Sequence, residues 1–133
     1  MQGDALILAL NETRRTLLAS RLCVAHSPNG GTRGPREPIR PGDAVWLEAC
    51  SRVDLSGMPA SLDLLFLDSD QRVLAAFSEF SPRGRYAEVA GAASVLELAA
   101  GTIVLTSTRK GDRIVLEPIV PDPSESREAA SRG

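Results

Sequence analysis

Cys50, Ser51, Asp54, Met58 and Asp63 place a thiol, a hydroxyl, two carboxyls and a thioether around one polar turn at Gly57–Met58. Polar groups gathered at a turn suit a small-molecule pocket, where a chain invests in site geometry more than in packing. Paired acids perform acid–base chemistry when a cleft drives their pKa values apart. The competing reading is architectural. Asp54 and Asp63 would bond backbone amides, while Asp68 and Asp70 would cap the turn after the next strand. The run Asp68-Ser69-Asp70-Gln71 lacks the glycine and the later oxygen ligands of an EF-hand calcium loop.

A second set is basic. Arg33, Arg36 and Arg40 share a stretch with Glu37 and Asp43, and an anion-binding loop competes there with an ordinary solvated one. The stretch 27–43 has four Gly and four Pro in 17 residues. Proline removes backbone donors and glycine raises the entropy of ordering, so no regular element is expected across it.

Other chemistries find little footing. His26 is the only histidine, and with Cys23 it makes a bare C-x-x-H pair. Tetrahedral zinc needs four ligands, or three and a water. A Ser-His-acid triad would have to use His26, and no G-x-S-x-G elbow is present. A Cys50–His26 pair has no signature behind it. Gly30, Gly31 and Gly34 lack the flanking strand and helix of a phosphate-binding loop. The expectation is therefore no metal, no cofactor and no catalytic residue.

The bulk numbers agree. A chain of 133 residues is one domain. Net charge −2 and a pI near 5.4 remove the electrostatic footprint of a general nucleic-acid binder, and 4% aromatics leave no stacking platform for single strands. Two cysteines are too few for a disulfide scaffold, and both are expected reduced. No signal-like or membrane-spanning run is present, so a cytoplasmic location without membrane insertion is the default.

These residues need elements to hold them. Ala5–Leu10 reads as a buried first strand. Leu17, Leu18 and Leu22 recur at helical spacing with Arg14, Arg15 and Arg21 between them, predicting a short helix over Thr13–Leu22. Ala44–Ala49, Leu62–Leu67, Val73–Phe80, Ser94–Leu98 and Ile114–Pro118 are rich in aliphatic, aromatic and β-branched residues and read as strands. In Leu62–Leu67 only Asp63 is polar, so both faces are expected to be covered. The turn formers of 68–71 predict a hairpin joining Leu62–Leu67 to Val73–Phe77. Trp46 is expected to seal one end of the core. Ala99–Thr108 is ambiguous, since its start suits a helix while Ile103, Val104, Thr106 and Thr108 favour extended backbone. Domain limits are expected at 1–120, with 121–133 a disordered tail.

Taken together, several of these motifs resemble domain of unknown function family 192, also called uncharacterised protein family 0127, over roughly Thr13 to Glu117. The carriers are Cys50, Val53, Gly57 and Met58, then Leu62-Asp63 and Leu67-Asp68-Ser69-Asp70-Gln71-Arg72-Val73. Ala93-Ser94-Val95-Leu96-Glu97-Leu98-Ala99-Ala100-Gly101 and Gly111-Asp112-Arg113 complete the match. Asp54-Leu55 replaces the family's His-Thr, Pro59 stands where an Arg is frequent, and Gln71 stands where the turn motif has Gly. The resemblance implies a small, mainly β protein with no established activity, and some members resemble accessory proteins of secretion or pilus systems.

The expected fold is mainly β: a single small antiparallel β-sandwich or irregular barrel with one short N-terminal helix. The leading expectation for function is a non-catalytic binding or accessory (adaptor) domain presenting a β edge or the Arg33–Arg40 loop to a protein partner. The alternative is a small-molecule-binding protein or weak enzyme, its pocket near Cys50, Asp54, Met58 and Asp63.

Overall fold

The structure is a computed structural model that describes residues 6–26, 31–33, 38–56, 58–81, 83 and 86–119. Three sheets are built from the strands β1 (Leu6–Asn11), β2 (Thr16–Ala19), β3 (Arg21–His26), β4 (Gly31–Arg33), β5 (Asp43–Glu48), β6 (Arg52–Asp54), β7 (Leu62–Leu67), β8 (Val73–Phe80), β9 (Tyr86–Glu88), β10 (Ser94–Ala99) and β11 (Ile114–Ile119). One short helix, α1 (Thr102–Thr106), precedes β11.

A five-stranded sheet in the order β3-β5-β10-β7-β8 forms the middle layer. Its inner strands β7 and β10 are buried at every position, as runs of leucine demand when both faces are covered. The first face carries Leu65, Leu67, Leu96 and Leu98, which meet Ala9, Leu18, Ala19 and Ile114 of the sheet β11-β1-β2. Trp46 packs against this first core. The second face carries Leu47, Leu62, Leu64, Phe66 and Val95, which meet Val53 and Ala87 of the sheet β4-β6-β9. Each fully buried leucine contributes roughly 2 kcal/mol of hydrophobic stabilisation, so the two cores together hold the layers. Most pairings are antiparallel; β3–β5 and β4–β6 are parallel.

The expected sandwich is therefore layered as open sheets, which do not close into a barrel. The expected N-terminal helix is replaced by strands. Glu12–Arg15 is a turn, and β2 then pairs with β1 while β3 pairs with β5. The leucine spacing fits either state, but strand ladders satisfy the backbone and still bury Leu18 and Leu22. Leu17 points outward and is 52% exposed, which the helical reading did not anticipate.

The ambiguous segment resolves as α1, and a distant side chain explains it. Asp63 Oδ2 accepts the Ile103 amide at 2.7 Å, and Asp63 Oδ1 accepts the Gly101 amide at 3.2 Å. A buried carboxylate thus satisfies two amides that a helix start leaves without intrahelical partners.

The hairpin of β7 and β8 has the expected pairing, and Asp68 Oδ1 accepts the Asp70 and Arg72 amides at 2.8 and 2.9 Å. A polar clasp ties β1 to the turn before β11. Asn11 Nδ2 donates to Thr108 Oγ1 and to Asp112 Oδ2, both at 3.0 Å, and Arg14 Nε donates to Asp112 Oδ2 at 3.0 Å. Within 27–43, residues 31–33 form β4; the tail 121–133 lies outside the described residues.

Candidate functional site

The second face of the middle sheet holds most of the sequence-nominated residues. After β5, Ala49 adopts a left-handed backbone (φ 52°) and turns Cys50 inward. The Cys50 amide donates to Ala93 O at 3.2 Å, and its thiol donates to Arg52 O at 3.1 Å. Cys50 is 1% exposed among Leu47, Val53, Leu55 and Phe66. Burial raises its pKa above the usual thiol value, and the nearby Glu97 charge adds to that.

Ser51 is half-buried, and its carbonyl accepts the Val89 amide at 3.0 Å. Asp54 Oδ1 accepts the Ser56 amide at 2.9 Å and the Ser56 hydroxyl at 2.7 Å, a local turn bond of the kind expected. Met58 packs on the same core, its amide donating to Leu55 O at 3.2 Å. These four lie along one stretch of chain, on or beside the second core.

Asp63 lies elsewhere. It sits at a register irregularity between Leu62 and Leu64, and its carboxylate leaves β7 on the first face. Besides Gly101 and Ile103 it accepts the Glu79 amide at 2.7 Å. Three backbone donors occupy it, and the middle sheet separates it from Cys50. Arg40 is exposed at the surface, Arg33 is placed only as the last residue of β4, and Arg36 lies outside the described residues.

Glu97 is the candidate group that the sequence reading passed over. It occupies the centre of β10, paired between Val45 of β5 and Leu64 of β7, and is 1% exposed. Alternation along β10 puts Glu97 with Val95 on the second face, where Leu47, Cys50, Leu64 and Phe66 lie. Its Oε2 is buried and has no hydrogen-bond partner among the described residues. Burial alone pushes its carboxyl up to about 8, so it is mostly protonated at neutral pH. The signal was present in Val95-Leu96-Glu97-Leu98, where one acid interrupts an otherwise apolar strand.

Known proteins add the family and the fold. The family model for DUF192, described as Uncharacterized ACR, COG1430, matches residues 10–116. The chain belongs to this family. Glu97, Asp63 and the Asp68–Arg72 turn all fall inside the matched span. No protein of curated function matches the chain. Two crystal structures share the fold. A protein of unknown function from Novosphingobium aromaticivorans has a TM-score of 0.64 at 16% identity, with 83% of each chain covered. A protein from Sinorhizobium meliloti, described as a "putative transcription regulator", has a TM-score of 0.62 at 20% identity, with 86% of this chain and 92% of that one covered. Identities this low speak for the fold alone.

Chemically, the buried part of the second face offers the acid of Glu97 and the thiol of Cys50 in an apolar setting. Among the described residues, no three His, Cys, Asp or Glu side chains gather as metal ligands. Two surface concavities lie away from it. One, about 370 Å³, is lined by Ser69, Asp70, Gln71, Arg72 and Arg113 and mixes both signs of charge. The other, about 440 Å³, lies on the outer side of β11-β1-β2 over Leu10, Leu17 and Val115. No helix of the described residues is long and apolar enough to cross a membrane.

Proposed function

We propose that this DUF192 chain is a non-catalytic binding domain for a small molecule, with its site on the second face of the middle sheet around Cys50 and Glu97. The observation that carries the reading is the unpartnered Oε2 of a 1% exposed Glu97. A buried polar atom left unsatisfied costs roughly 1–3 kcal/mol, and a chain that keeps one gains something other than stability from it. Ser51, Asp54 and Met58 flank this site, whereas Asp63 belongs to the scaffold. Fragment screening by ¹H–¹⁵N NMR tests the reading. Ligand-induced shifts should centre on residues 45–53, 64–66 and 95–97, and hits confined to other surfaces count against it.

A second reading, an accessory domain that acts through protein contact, is favoured by the outer face of β11-β1-β2. Leu6, Leu17 and Ile119 are 51%, 52% and 45% exposed there, with Leu10 and Val115 between them. Apolar faces of this kind mark interaction sites on soluble proteins. A second copy of this chain is the occupant whose charges match. Arg15 and Glu117 border the same groove, so a two-fold packing can set each arginine beside the partner's Glu117. Sedimentation should then show a dimer that Leu17→Arg dissociates; a monomer at every concentration rejects this face as a self-interface. A role beside a secretion or pilus system, and a cytoplasmic setting, rest on the family resemblance and the sequence alone.

A further inference from the structure

We propose that the concavity beside the β7–β8 turn binds a small monocarboxylate, held between the guanidinium groups of Arg72 and Arg113. The site lies away from the second face of the middle sheet and does not rest on the reading above.

The backbone sets the two arginines side by side. Arg72, just before β8, and Arg113, just before β11, form an antiparallel bridge. The Ile114 amide donates to Gln71 O at 2.9 Å, and the Val73 amide donates to Asp112 O at 2.8 Å. These bonds flank the bridge, so Arg72 and Arg113 are a non-hydrogen-bonded pair, the kind whose side chains stand closest. Alternation then sorts the faces. Val73, Asp112 and Ile114 are buried, so the exposed Arg72 and Arg113 leave together on the outer side. Like charges directly opposite each other destabilise a strand pair. An anion between them would remove that penalty. Both arginines line one concavity of about 370 Å³, which Ser69, Asp70 and Gln71 complete. Its volume lies within the range of small-molecule clefts.

The existing partners leave donors over. Arg72 Nη1 donates to Gly111 O at 3.2 Å. Arg113 Nη1 meets Glu12 Oε1 at 3.8 Å, with both side chains more than half exposed, and such a pair is weak. A guanidinium carries five N–H donors, so each arginine keeps several for a ligand, and its planar fork matches the two oxygens of a carboxylate.

The nearby acids set the charge of that ligand. Asp70 lines the concavity and pairs with neither arginine among the described residues, while Glu12 borders Arg113 from outside it. Arg109 and Lys110 belong to the neighbouring turn and stand outside the lining. Two cations against one lining acid leave one positive charge. A monoanion neutralises it, whereas a dianion overshoots it beside Asp70, and a cation meets the arginine pair.

The test uses the full chain and four small probes: propionate, propionamide, n-propylammonium and inorganic phosphate. Each is titrated by ¹H–¹⁵N NMR in mildly alkaline buffer at fixed ionic strength, where phosphate is mainly a dianion. Propionate should give saturable shifts centred on residues 69–73 and 111–114. These lie outside the segments that report on Glu97, so the two sites succeed or fail separately. Phosphate should bind more weakly than propionate, and the amide and the ammonium should not bind there. Arg72→Gln and Arg113→Gln should each weaken propionate about tenfold or more while keeping a folded amide spectrum, and Arg113→Lys should restore part of the loss. Asp70→Asn should tighten phosphate more than propionate. If phosphate matches propionate and Asp70→Asn leaves their ratio unchanged, the monocarboxylate assignment falls. No propionate shift at these residues, or shifts that persist unchanged in both arginine→glutamine variants, overturns the site itself.

Discussion

Asp63 and Glu97 sit on neighbouring strands of the middle sheet, Asp63 opposite Leu98 and Glu97 opposite Leu64, and their carboxyls leave the sheet on opposite faces. Both are buried, yet their surroundings differ. Asp63 meets three backbone amides and serves as their acceptor. Glu97 meets side chains of leucine, valine and phenylalanine and keeps its proton. One sheet thus separates a scaffold carboxylate from a candidate binding group.

Glu97 makes stability depend on pH. Its folded pKa, about 8, lies above the value of 4.5 expected when the chain unfolds. Between these values the unfolded chain releases a proton that the folded chain keeps, so stability falls as pH rises from about 4.5 to about 8 and then levels. The slope approaches roughly 1.4 kcal/mol per pH unit for one proton. Glu97→Gln should flatten that decline and become the more stable form at pH 8. Urea midpoints at several pH values measure the difference, and identical curves for the two proteins would refute the assigned burial.

Asp63→Ala should destabilise the chain by at least about 3 kcal/mol, because it strands the amides of Glu79, Gly101 and Ile103 together. Asp63→Asn keeps one acceptor oxygen and should lose less. Denaturation of the three proteins gives the order, and backbone NMR should show the largest perturbation at α1. An Asn variant as damaged as the Ala variant would assign the effect to charge instead of acceptor count.

How far the primary structure could be read follows from which interactions are local. The runs of β7, β8, β10 and β11 were visible because a buried strand writes its environment into consecutive residues. Asp68 capping its own turn was visible for the same reason. The helix expected over Thr13–Leu22 failed because strand pairing decides that segment: β2 folds back on the preceding β1 through a turn, and β3 pairs with β5 from further along the chain. The start of α1 depends on Asp63, about forty residues upstream in the chain. Glu97 was present in a quoted motif, but its importance lies in an absent partner, which only the packed layers reveal.

Asp112 predicts the acid limb. Burial alone would raise its pKa, but hydrogen bonds from the Asn11 amide, the Arg14 guanidinium and the Arg109 backbone amide outweigh that and hold it below its usual value. Its contribution is therefore present above about pH 3.8 and lost as pH falls through the lower folded value. Asp112→Ala should cost about 2–3 kcal/mol at neutral pH, since it leaves the buried Asn11 side chain short of an acceptor. That penalty should shrink as pH falls through the lowered folded value, where the wild-type carboxyl takes up its proton. A penalty independent of pH would show that packing, and not charge, makes the clasp.

Gln71 tests a position where this chain departs from the family motif. It closes the β7–β8 turn with φ at 62°, a left-handed conformation that glycine adopts freely and other residues hold at a cost of about 1 kcal/mol. The chain offsets that cost with the Gln71 side chain, whose Nε2 donates to Ile114 O at 2.7 Å and ties the hairpin to β11. A hydrogen bond of this kind returns about 1 kcal/mol. Gln71→Gly should relieve the strain and lose the bond, ending within about 0.5 kcal/mol of wild type. Gln71→Ala should keep the strain and lose the bond, and so fall about 1 kcal/mol below wild type. Equal urea midpoints for the two variants would mean that backbone strain has no measurable weight at this turn.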